Sequence, residues 1–131
     1  MRKGFTDKII KYLNIKIPKK DKPDIIGFTI TDSQLIEIAK MLPETYNTKH
    51  NDAPSFKECI DIAIKYPGVK FSGYIIGKRR SDERIDIDAI CIPIKSDYVH
   101  RKHVDLIVNL MNIYNPSEVR FENDYIILWW D

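Results

Sequence analysis

Residues 69–94 read VKFSGYIIGKRRSDERIDIDAICIPI, and the fold turns on how that stretch divides. Both halves are rich in β-branched and aromatic residues, and the polar run Lys78–Arg84 interrupts them, so the stretch reads as a long β-hairpin. In the second half Ile85 and Ile87 alternate with Asp86 and Asp88, but Ile90, Ile92 and Ile94 then take over the parity the aspartates held. Side chains alternate faces along a strand, so this change of parity predicts a β-bulge near Asp88–Ile90.

Immediately upstream, Ser55 and Glu58 form a capping box that opens a helix running to Pro67 and Gly68. Its apolar side is Phe56, Cys59, Ile60 and Ala63, with Ile62 and Tyr66 beside them and Lys57, Asp61 and Lys65 on a narrow wet face. Thr31 and Gln34 make a second capping box, and the helix they start ends at Leu42 before Pro43, with Leu35, Ile38, Ala39 and Leu42 turned inward. Residues 46–54 are polar and unpatterned, as in a loop. Ile25–Ile30 reads as a short strand weakened by Gly27.

Downstream, Asp97 begins the longest helix, which reaches Tyr114 with Val99, His103, Ile107, Leu110, Met111 and Tyr114 on its core side. Val119–Glu122, a turn at Asn123 and Asp124, and Tyr125–Trp130 complete a second hairpin. Residues 67–76 are echoed in residues 116–127: a proline, then Val-Lys-Phe or Val-Arg-Phe, then Tyr-Ile-Ile. The echo reads either as a duplication or as the common vocabulary of hairpins. The expected fold is therefore α+β. An antiparallel sheet of four to five strands is built from two helix–hairpin units, with the helices mainly on one face and a basic amphipathic helix at the N-terminus.

That first helix is read from Phe5, Ile9, Ile10 and Leu13 at helical spacing around Lys8 and Lys11, over residues 6–14; Lys16–Pro23, with its lysines and two prolines, reads as a linker. The 131 residues suit one core, divided here into a basic helix and arm at 1–22 and a single α+β domain at 23–131. A hydrophobic fraction of 44% and a charged fraction of 31% belong to a folded globular chain and exclude general disorder. No apolar run reaches the roughly 20 residues of a membrane helix, and no secretory leader is read after Met1. Cys59 and Cys91 lack metal-ligand spacing and read as buried thiols, so a cytoplasmic location is expected, in a host cell if the chain is viral.

The net charge of +2 conceals an asymmetry: residues 1–22 hold eight basic and two acidic side chains, a net +6, while the remaining 13 basic and 17 acidic give −4. Lys8, Lys11, Lys16, Lys19 and Lys20 of the arm, and Lys78, Arg79, Arg80 and Arg84 at the hairpin tip, are the candidate contacts to a nucleic acid or an acidic protein partner. A small non-enzymatic binding or regulatory domain is the leading expectation, and no cofactor is expected.

Asp86 and Asp88 carry the alternative, because two carboxylates on one strand face can hold a divalent cation. The segment Pro67–Ile92 resembles the core of minimal nucleotidyltransferases, in which a helix and a strand end in a glycine-serine loop and the next strand carries Asp-x-Asp. That resemblance implies metal-dependent nucleotidyl transfer, with Asp86 and Asp88 as catalytic metal ligands and Gly77 in the phosphate loop. Lys78 stands where the family has serine, the interval from Gly77 to Asp86 is short, and no third carboxylate can be placed, although Glu118 and Glu122 lie on a later strand. His100 and His103, with Asp97 one turn earlier, have spacing for a shared metal but do not complete a site, and read as surface and core-edge residues. A homo-oligomer is the third expectation, its interface on an exposed strand such as Tyr125–Trp130, where Trp129 and Trp130 point to opposite faces.

Overall fold

The computed structural model describes residues 3–16, 25–94 and 101–131, apart from the side chains of Glu44 and Tyr46. Its elements are α1 (Thr6–Tyr12), β1 (Ile25–Ile30), α2 (Asp32–Met41), a 3-10 turn (Pro43–Asn47), α3 (Phe56–Lys65), β2 (Lys70–Ile76), β3 (Arg84–Pro93), α4 (Arg101–Tyr114), β4 (Glu118–Glu122) and β5 (Tyr125–Trp129). The five strands form one antiparallel sheet in the order β1-β2-β3-β5-β4, the expected α+β architecture.

Both capping boxes form as read: the Thr31 and Ser55 hydroxyls accept from the amides of Gln34 and Glu58, whose side chains accept from the cap amides in return. Local chemistry thus fixes where α2 and α3 begin. The inward faces of both helices are the residues that periodicity selects, and all of them are buried. In α4 Leu110 is buried and Ile107 and Tyr114 pack against the core as expected, but Leu106 is buried too and Met111 is 44% exposed. The proposed start of that helix at Asp97, with Val99 and His100, lies outside the described residues.

The bulge falls within the expected interval. Ser72 pairs with Ala89 but Gly73 pairs with Ile87, leaving Asp88 as the extra residue of β3. Ile85, Ile87, Ile90 and Ile92 consequently all face the helices, in one core with Phe71, Ile126 and Leu128 of the sheet and with α2, α3 and α4. Gly73 is required there, because a Cβ on it would stand 1.8 Å from the Asp86 carbonyl oxygen. Phe5, Ile9 and Ile10 are buried in the same core, so α1 packs onto the body of the protein.

Two helix–hairpin units are present, α3-β2-β3 and α4-β4-β5, and they meet along β3 and β5. The sequence echo does not map equivalent positions onto one another. Tyr74-Ile75-Ile76 continues β2, the strand that holds Phe71, whereas Tyr125-Ile126-Ile127 begins β5, beyond a turn that separates it from Phe121. β5 lies inside the sheet, between β3 and β4. Among the described residues the edge strand in this half is β4, and Tyr125–Trp130, expected to be an exposed strand, forms an interior one.

Candidate functional site: a basic junction and a buried aspartate cluster

The two basic segments of the sequence meet. Glu83, on the tip of the β2–β3 hairpin, accepts from the Gly4 amide at 2.7 Å, the Thr6 amide at 3.1 Å and the Thr6 hydroxyl at 2.6 Å. One carboxylate therefore satisfies amides at the start of α1 that have no partner within the helix. Burial alone would raise its pKa, but these donors outweigh burial and hold the Glu83 carboxyl below its ordinary range. Lys78 adds an ion pair to Asp7 at 3.0 Å, and Gly4 turns the chain into the helix with φ of +88°.

Not every cation at the tip is equally available. Arg80 and Arg84 both bind Asp82, at 2.7 and 3.0 Å, which holds that carboxyl low in spite of its desolvation. Arg84 also reaches Asp86, so it is committed inward. Lys3, Lys8, Lys11, Lys16 and Arg79 are exposed. Residues 3–16 and 78–84 together hold eight basic and three acidic residues, and each of the three acids bonds within the junction. Lys19 and Lys20, the remaining arm candidates, lie outside the described residues.

Asp86 and Asp88 sit on the face of the sheet turned away from the helices, in different environments. Asp86 is only 5% exposed and accepts from the Tyr74 hydroxyl at 2.8 Å and from Arg84 Nε at 3.0 Å, with His50 Nδ1 at 3.5 Å. Tyr74 lies opposite Asp86 in the ladder, so β2 and β3 set that pair, while the loop before α3 brings in His50. Burial and the bond to Asp86 push the Tyr74 hydroxyl up. Asp88 is half-buried, and its burial raises its carboxyl despite His50 nearby and a hydrogen bond from Trp129.

Asp88 belongs instead to a shallow groove of about 470 Å³ on the open sheet face, which also takes in Lys70, Cys91, Glu122, Tyr125 and Trp129. Lys70 lies over the Tyr125 ring at 5.2 Å. Of the carboxylates left open for a third ligand, Glu122 borders this groove and Glu118 pairs with Arg120 at 3.6 Å. Among the described residues no three His, Cys, Asp or Glu side chains are grouped to hold a metal ion. Between Gly77 and Glu83 the chain makes a turn without a helix.

Cys59 and Cys91 are both buried free thiols whose burial pushes their pKa up, the opposite of an activated nucleophile. Sequence reasoning missed His50 and Tyr74, and it missed Glu83 as the anchor of α1. A histidine in an unpatterned loop and an acid within a charged turn carry no local signal of partners 24 to 79 residues away. Among the described residues, no helix is long and apolar enough to cross a membrane. Comparison with protein-family models, curated proteins and solved structures finds no match for this chain.

Proposed function

We propose that this protein is a small non-enzymatic binding domain that engages the phosphate backbone of a nucleic acid through the junction of α1 with the β2–β3 hairpin tip. The observation that carries this reading is the Glu83 anchor, which holds lysine-bearing α1 against the arginine-bearing tip although the two are 77 residues apart in sequence. Lys8, Lys11 and Arg79 are the principal phosphate contacts, since all three are exposed and no acidic partner engages them in the described ion pairs. Arg84 supports the tip through Asp82 and Asp86. Preorganised cations bind a polyanion with less ordering cost than a mobile arm, and each phosphate neutralised releases counterions.

The test is fluorescence anisotropy of labelled single- and double-stranded DNA and RNA, titrated with the full chain at several salt concentrations. Affinity should fall steeply with salt. Lys8→Ala, Lys11→Ala and Arg79→Ala should each reduce the logarithmic salt slope by about 1 and weaken all sequences alike. Absence of binding at low salt would overturn the nucleic-acid reading and favour an acidic protein partner for the same surface.

A further inference from the structure

We propose that the protein forms a two-fold symmetric dimer in which β4 pairs antiparallel with β4 of a second copy, with Phe121 on the axis, joining two five-stranded sheets into one. Among the described residues β4 is the outermost strand and bonds only to β5. All five of its residues are exposed, including the two that face the helix side, Val119 at 38% and Phe121 at 74%. In the ladder these two lie opposite Leu128 and Ile126, which are buried, so the helix layer stops over β5. An exposed flat edge carrying a large aromatic is a pairing surface unless something covers it or repels a partner.

The hydrogen-bond phase of the sheet shows how a second copy fits. The Ile94 amide donates to the Asp124 carbonyl, which makes Pro93 and Tyr125 a non-hydrogen-bonded pair. Ile126 and Leu128 therefore bond towards β3, while Tyr125, Ile127 and Trp129 bond towards β4. In β4 the outward N–H and C=O groups are then those of Val119 and Phe121. Only registers that keep the helix sides of both copies together are allowed, and these centre on Val119, Arg120 or Phe121.

Charge selects among the three. Centring on Arg120 sets Arg120 against its own copy and Glu118 against Glu122, which is repulsive at both places. Centring on Phe121 sets Arg120 opposite Glu122 twice, at the close non-hydrogen-bonded positions, and brings the two Phe121 rings together on the other face. Centring on Val119 also pairs Arg120 with Glu118, but it draws in Ser117, whose amide already donates to the Trp129 carbonyl, beside Pro116. The Phe121 register keeps its two-fold pair and both charge pairs within Arg120–Glu122, and it ends where Asn123 turns the chain with φ of +51°.

α4 extends the apolar side of this interface. Asn109 and Ile113 line the groove against α3, which identifies the flank of α4 turned towards α3. At 100° per residue, Val104 and Met111 fall on the opposite flank, the one away from α3, and both are exposed. A second copy joined along β4 would cover that stripe together with Val119 and Phe121.

Sedimentation equilibrium of the full chain, from low-micromolar to sub-millimolar concentration, tests the proposal, with circular dichroism to verify that each variant is folded. The mass should rise from 15.4 kDa towards twice that value. Arg120→Glu should hold it at the monomer value, and combining Arg120→Glu with Glu122→Arg should restore the dimer, because the swapped charges face one another again in this register. A monomeric mass throughout, or self-association unaffected by Arg120→Glu, would overturn the dimer. Failure of the double exchange to restore it would overturn the Phe121-centred pairing, since a Val119-centred dimer would be left with Glu118 opposite a second acid.

Discussion

Phe71 and Phe121 occupy nearly the same local sequence, Val69-Lys70-Phe71 and Val119-Arg120-Phe121, and both lie on strands with their side chains on the helix side of the sheet. One is 0% exposed and the other 74%. β2 is an interior strand between β1 and β3 beneath the helices, whereas β4 is the edge, one strand beyond their cover. Local sequence thus sets the conformation and the face of a strand, and its rank in the sheet sets what that face meets.

Truncation should separate the two most widely. Phe71→Ala is expected to cost about 3–5 kcal/mol in chemical denaturation, through lost burial and the cavity left behind. Next comes Gly73→Ala, which drives a Cβ into the Asp86 carbonyl and should cost about 3 kcal/mol, because β3 must move at the bulge. A comparable loss there and at an ordinary strand position such as Gly27, where the nearest atom is 3.9 Å away, would contradict the bulge account.

Arg84→Ala leaves Asp86 buried with Tyr74 and His50 alone. The guanidinium is 36% exposed, so a loss of about 2 kcal/mol is expected, below the roughly 3–5 kcal/mol of a fully buried pair. Glu83 gives a pH signature in place of a single value. Its folded pKa lies below the ordinary 4.5, so its stabilisation is complete above that value and is lost as pH falls through the folded pKa. Thermal melts of the protein and of Glu83→Gln should accordingly converge on acidification through this range. Smallest of all, Phe121→Ala should change monomer stability by no more than about 0.5 kcal/mol when measured at dilution.

What was legible in the sequence was local. Thr31 with Gln34 and Ser55 with Glu58 announce their helices because a cap and its partner lie three residues apart. The parity change at Asp88 announces the bulge because strand periodicity is strict. On α4 periodicity places Ile107, Leu110 and Tyr114 correctly, but apolar residues almost encircle the helix, so it does not tell buried Leu106 from exposed Met111.

Strand order is not legible in the sequence, so nothing there shows that Tyr125–Trp129 is an interior strand and Glu118–Glu122 the edge. The candidate site shared this divide. Its basic residues could be named individually, but the contact of Glu83 with Gly4 and Thr6 depends on the finished fold. The arrangement of His50, Tyr74 and Arg84 around Asp86 does so too.

The most direct test of the basic junction is the polyanion affinity of Glu83→Ala, measured by anisotropy at fixed salt. Removing an acid from a basic surface should strengthen binding if charge alone governs it. If Glu83 acts by fixing α1 against the hairpin tip, affinity should fall although the net charge becomes more positive. Unchanged or tighter binding would contradict the account.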